Sequence, residues 1–169
     1  IREKTVYDFE IEAKVPEKNI ISSKVSAKKA EPILPENSKI KITEQDFKNK
    51  YQTGLDLFDK YKYQAAITQF DFLMKSNVRT NLKINCIYWI GECYFGLKNY
   101  NKAIEYFNKV AKNKSTKTPY ALYMLGRSHA MLGNIKKSKE YFNTILIEYP
   151  KKPIAIKARS MLNKLILKR

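Results

Sequence analysis

The 169-residue chain reads as an all-α protein: a solenoid of three helix–turn–helix repeats, closed by a C-terminal capping helix and preceded by an extended N-terminal tail. Three observations predict this. Gly54, Gly91 and Gly126 each stand twelve residues before a small residue (Ala66, Ala103, Ser138) and sixteen before a phenylalanine (Phe70, Phe107, Phe142). The glycines recur at steps of 37 and 35 residues, the length of one two-helix unit. Apolar residues around each glycine keep a helical period.

Each residue type in the repeat has a mechanical reason. A glycine or small side chain on each helix lets two backbones approach, and large apolar residues fill the space beside that contact. The middle copy is the most complete, with Ile87, Ile90, Gly91 and Tyr94 on its first helix and Ala103 and Phe107 on its second. The third copy runs from Leu122, Leu125, Gly126 and His129 to Ser138, Phe142 and Pro150. In the first, Lys50 and Thr53 replace the usual large apolar residues, while Gly54, Leu57, Ala66 and Phe70 hold their places. The pattern is that of tetratricopeptide (TPR) repeats, units of about 34 residues that stack into a superhelix.

The elements follow in order, with the solenoid expected over 47–169 and repeats at about 47–80, 84–117 and 119–152. First-repeat helices are predicted near 46–60 and 63–76, second-repeat helices near 82–96 and 100–113, and third-repeat helices near 118–132 and 135–148. Asn99 and Asn134 are turn or cap residues at the inner corners, and Gly133 suits a left-handed helix end. A seventh helix over 153–167 carries Pro153 in its first turn and an apolar stripe of Ala155, Ala158, Met161, Leu162 and Leu165. It covers the open end of the third repeat, as a terminal repeat requires.

Residues 1–46 differ. Tyr7, Phe9, Ile11, Ala13 and Val15 alternate with charged residues, which predicts a strand over 5–15. The stretch from Glu17 to Ser38 is rich in Lys, Ser, Pro and Glu, the composition of a tether. Two readings follow: a stalk, or a strand centred on Tyr7, Phe9 and Ile11 that adds to a partner's sheet. A helical solenoid offers no sheet edge. An ordered tail therefore needs another chain's sheet or a groove that accepts an extended peptide, and a partner chain is the expected site.

Charge is distributed unevenly. Residues 1–50 hold 11 Lys+Arg against 9 Asp+Glu, so 22 and 7 fall in 51–169 and the solenoid carries +15 of the chain's +17. Lys102, Lys109, Lys112, Lys136, Lys137 and Lys139 belong to the second helices, expected on the outer face. Such a face is either simply solvated or suited to an acidic protein or anionic envelope surface. A basic surface also supplies nonspecific nucleic-acid affinity. However, lysine far outnumbers arginine and no aromatic–glycine RNA signature occurs, so nucleic acid is disfavoured as partner.

The first helices should line the inner groove. With each glycine taken as repeat position 8, position 5 is Tyr51, Tyr88 and Tyr123, position 9 is Leu55, Glu92 and Arg127, and position 12 includes Phe58 and Phe95. Tyr120 joins them at position 2. The tyrosines in register read either as an aromatic ladder for a partner, since tyrosine gives large contact area with few rotors to freeze, or as inter-helix packing. Glu92 and Arg127 stand where they would pair across the groove floor. Lys and Asn at positions 5 and 9, which grip a C-terminal carboxylate in chaperone adaptors of this repeat class, are replaced by Tyr51, Leu55, Tyr88 and Glu92.

Little points to chemistry. Cys86 and Cys93 lie about 10 Å apart along one helix, too far to bridge. His129, the lone histidine, occupies a packing position, and no nucleophile has a base nearby in the pattern. The reading is therefore not an enzyme, without metal or cofactor. No apolar run of 18 residues spans a membrane. A start at Ile1 leads to the expectation of a fragment or processed form, with any signal or lipid anchor upstream.

Tyr88-Trp89-Ile90-Gly91, Glu148-Tyr149-Pro150 and the closing Ala158-Arg159-x2-Leu162 helix resemble the C-terminal TPR domain of Tol–Pal-associated cell-division coordinator proteins (the YbgF-like family), over roughly 47–167. Envelope lipoproteins of outer-membrane assembly are next in likeness. The resemblance implies a non-catalytic periplasmic scaffold in a multi-subunit assembly serving cell division, the outer membrane or a flagellar motor. The alternative is a basic cytoplasmic repeat protein associated with nucleic acid. Asn113-Lys114-Ser115 departs from the Tyr-Pro that usually ends the second repeat, and no coiled-coil heptads precede the solenoid.

Overall fold

Seven helices follow one another: α1 Glu44–Asp59, α2 Tyr63–Met74, α3 Leu82–Gly96, α4 Tyr100–Lys112, α5 Thr118–Met131, α6 Ile135–Glu148 and α7 Ile154–Leu167. The computed structural model describes residues 40–78 and 81–167. The expected strand over 5–15, with Tyr7, Phe9 and Ile11, lies outside them. Every helix packs on the next, and among first helices α3 also touches α5 and α5 touches α7. The second helices α2, α4 and α6 make no comparable contact with one another. The stack therefore closes on the side of α1, α3 and α5 and splays on the other, giving a TPR-like solenoid with the first helices inside.

The glycine–phenylalanine spacing acts as contact. A Cβ built on Gly91 would meet Phe107 Cε1 at 2.7 Å, and one on Gly126 would meet Phe142 Cε1 at 2.6 Å. Phe70, Phe107 and Phe142 are each fully buried, one per helix pair. Ala66, Ala103 and Ser138 are also fully buried, so small size at that position is what packing requires.

The solenoid starts before residue 47. Thr43 caps α1: its side chain accepts from Asp46 N at 3.0 Å, and the Asp46 carboxylate accepts from Thr43. The two residues form a capping box, a signal present in Thr43-Glu44-Gln45-Asp46 that the boundary at 46 passes over. Upstream of the cap, Asn77 N donates to Ile40 O at 2.9 Å and Ile42 N to Asn77 Oδ1 at 2.8 Å. Residues 40–42 are thereby tied to the α2–α3 corner. That corner is held by Lys83, a buried lysine whose Nζ donates to Met74 O and Ser76 O, carbonyls at the end of α2. Burial lowers the pKa of its ammonium.

The inner corners repeat one backbone trick. Tyr61, Lys98 and Gly133, each seven residues after a repeat glycine, take φ of 59°, 59° and 78°. Asn99 then caps α4 through Lys102 N, whereas Asn134 stands at the same place before α6 without a side-chain cap. α7 lies on α6 and α5, with Ala155 and Ala158 buried and Met161, Leu162 and Leu165 half-buried.

Candidate interaction groove

The inner face begins with aromatic rings on α1 and α3. Tyr51 Oη accepts from Trp89 Nε1 at 2.7 Å, and its ring stands edge-on to Phe70. Phe58 meets Trp89 edge-to-face at 5.1 Å. Phe95, on the last turn of α3, packs edge-on to Tyr100 at 5.2 Å. Tyr51, Phe58 and Phe95 are half-buried, presenting part of each ring to the groove.

α5 supplies cations. The Arg127 guanidinium sits 4.6 Å from the centroid of Phe95 and 5.9 Å from that of Tyr123, joining α3 to α5. Lys117, immediately before α5, places its ammonium 5.5 Å from the centroids of both Tyr88 and Tyr120. It is only 6% exposed. Cation–ring contacts of this kind contribute about 0.5–1 kcal/mol at exposed sites and more when desolvated. Burial raises the Tyr123 pKa, the neighbouring Arg127 opposes the shift, and Glu92 adds to it.

The tyrosine positions part company here. Tyr88 is 1% exposed, donates to Glu92 Oε1 at 2.6 Å and packs against Trp89 and Phe107. It belongs to the inter-helix packing, so a ladder of three exposed hydroxyls does not form. Leu55, expected in the groove, is core as well, because α1 turns that position toward its neighbours. Glu92 is 6% exposed. Its carboxylate accepts from Tyr88, and the Arg127 guanidinium lies over the rings of Phe95 and Tyr123. Tyr120, Tyr123 and Arg127 stay half-buried on the inner face.

Two buried residues beneath this surface, Trp89 and Lys117, have no place in the expected site. Trp89 is adjacent to the position-5 tyrosine and was legible only as part of the family-like segment, although it ties α1 to α3. Lys117 precedes its helix, at the last position of the second repeat, and nothing in the spacing marks it.

On the outer side, Lys102 and Lys109 lie over Tyr94 and Tyr106, at 5.2 and 4.5 Å from the ring centroids. Lys112, Lys136 and Lys137 are exposed and Lys139 is half-buried. Cys86 and Cys93 are buried free thiols. Burial pushes the Cys93 pKa up to about 12 and that of Cys86 higher still, which makes both poor nucleophiles. Among the described residues no cluster of His, Cys, Asp and Glu could hold a metal ion, and no helix is long and apolar enough to cross a membrane.

Residues 59–140 match the family described as anaphase-promoting complex, cyclosome, subunit 3. Curated proteins give no match. Among solved structures, PcrH from Pseudomonas aeruginosa is similar at a TM-score of 0.66 and 18% identity, over 74% of this chain and 95% of that one. The Yersinia enterocolitica type III secretion chaperone SycD, in complex with a peptide of the translocator YopD, gives 0.64 and 18%, over 75% and 96%. The first TPR of Spaghetti (RPAP3), bound to an HSP90 peptide, gives 0.61 and 18%, over 75% and 94%. At these identities the likeness is one of fold, and the fold is the TPR-like solenoid.

Proposed function

We propose that this chain is a non-catalytic adaptor whose inner groove holds an extended segment of a partner protein. The observation that carries the reading is the ring-and-cation surface of half-buried Tyr51, Phe58, Phe95, Tyr123 and Arg127 on the first helices, backed by the buried Trp89. Half-exposed rings offer contact area at low entropic cost, and a guanidinium held over two rings is already ordered before a ligand arrives. PcrH with the chaperone binding region of PopD, SycD with its YopD peptide and Spaghetti with its HSP90 peptide are complexes of this same fold with protein segments, which supports the reading.

We place the adaptor in a bacterial envelope assembly, of cell division, outer-membrane or flagellar-motor type, and in the periplasm. The support is the resemblance carried by Tyr88–Gly91, Glu148–Pro150 and the closing helix. The test is site-specific photocrosslinking in the native organism, with the crosslinker at Tyr123 in the groove or at Lys112 on the outer face. A partner that crosslinks at Tyr123, and is lost in Arg127→Ala, is the expected result. Capture only at Lys112, or of nucleic acid, sinks the groove reading. Capture of cytoplasmic proteins alone sinks the envelope placement.

A further inference from the structure

The two ends of the solenoid are finished differently. A terminal helix is expected to turn a polar face outward. α1 does: every exposed residue on it is polar, with both signs of charge, as in Glu44, Lys48, Gln52 and Asp56. α7 does not. Among the described residues the three most exposed large apolar side chains are Leu167 at 83%, Ile147 at 78% and Ile156 at 77%, and all lie on α7 or on the last turn of α6. Ile166, at 50%, belongs to the same end. From Tyr149 to Leu167 the chain has five cations, Lys151, Lys152, Lys157, Arg159 and Lys164, and no carboxylate side chain.

The helical period sorts these residues. Ile154, Ala155 and Ala158 are the core face of α7, which packs on α5 and α6. At about 100° per residue, Ile156, Ser160, Asn163 and Leu167 fall together on the opposite, exposed face, and Arg159 and Lys164 flank them on either side. Ile156 and Leu167 stand eleven residues apart, about 16 Å along the axis at about 1.5 Å per residue. We propose that this face of α7 docks flat on an anionic phospholipid surface, with Ile156 and Leu167 in the headgroup–acyl boundary and Arg159 and Lys164 against lipid phosphates. Charge and shape select the occupant. A second copy meeting the face squarely would set cation against cation. Nucleic acid offers phosphates but no apolar place for side chains that stand free of the protein. An acidic protein would need apolar pockets about 16 Å apart between its carboxylates, whereas a bilayer accepts an apolar side chain anywhere along its surface. The groove residues stand on α1, α3 and α5, so this contact uses none of them.

The experiment measures co-flotation of the full chain with vesicles of pure phosphatidylcholine, or of phosphatidylcholine with about 30% phosphatidylglycerol. The native chain should float with the anionic vesicles only. Ile156→Ser/Leu167→Ser and Arg159→Gln/Lys164→Gln should each lower its partitioning about tenfold or more. Lys48→Gln/Lys60→Gln removes the same charge from the opposite end of the solenoid and should change partitioning by less than about twofold. Every substituted side chain is exposed, so the core is untouched, and circular dichroism checks each fold. Flotation that survives the loss of Ile156 and Leu167, and falls equally in both charge pairs, is adsorption by net charge alone and overturns the proposal. So does binding to neither kind of vesicle. A native dimer that Ile156→Ser/Leu167→Ser turns into a monomer in light scattering also overturns it, since a second copy then covers the face. Capture of an acidic protein by a crosslinker at Ser160, without flotation, overturns it in favour of a protein ligand.

Discussion

The second and third helix pairs carry matching residues at matching positions and use them differently. Tyr88 and Tyr123 share repeat position 5, yet Tyr88 is sealed in the core on Glu92 while Tyr123 is half-exposed beside Arg127. The corner residue after the first helix is Lys98 in one pair and Gly133 in the other, both at left-handed φ. Three residues after the repeat glycine stand Tyr94, beside Tyr106 at 5.4 Å, and His129, stacked on Tyr141 at 5.5 Å. The register decides which way a residue points along the solenoid. Neighbours brought by the adjoining helices decide whether it becomes core, surface or a titrating group.

The sharpest way to break this contrast is to cut both tyrosines. Tyr88→Ser removes a buried ring and its bond to Glu92, and should cost about 3–5 kcal/mol by analogy with large-to-small core changes. Tyr123→Ser should cost on the order of 1–2 kcal/mol, since part of the ring is already in water. Chemical denaturation of the two variants measures the difference. Equal losses would show that Tyr123 is as much a core residue as Tyr88.

A smaller effect separates the corners. A left-handed backbone costs an ordinary L-residue roughly 1–2 kcal/mol, and glycine pays instead about 0.5–1 kcal/mol in chain entropy. Lys98→Gly should therefore raise stability by up to about 1 kcal/mol, and Gly133→Ala should lower it by about the same. No side chain obstructs a Cβ at Gly133, so the second result reads conformation alone. A Gly133→Ala protein with unchanged melting temperature would contradict the account.

The smallest difference lies in pH dependence. Burial lowers the His129 pKa from its ordinary value of 6.5, Lys137 lowers it further, and Glu140 opposes both. A base with a depressed folded pKa binds fewer protons folded than unfolded, so stability is complete above about 6.5 and is lost as pH falls toward the folded value. His129→Tyr reproduces the Tyr94–Tyr106 arrangement without a titrating ring. Melting curves from pH 7.5 to 5 should fall less steeply for the variant. Parallel curves would mean that His129 contributes nothing to the acid response.

Because repeat spacing works through local helix formation and one short contact per helix pair, the architecture was legible in the residues alone. Gly91 with Phe107 and Gly126 with Phe142 form the contacts that their sixteen-residue separation implies, and the helices start and stop within a few residues of their expected places. The groove was legible only as a set of positions. That Tyr88, Leu55 and Glu92 would be covered while Tyr123 and Arg127 stay half-exposed depends on side chains from other helices. That Lys117 would reach Tyr88 depends on the path of the turn that closes the second repeat. Spacing along one chain encodes direction around a helix axis, whereas exposure is a property of the space between helices, and only the packed solenoid determines that space.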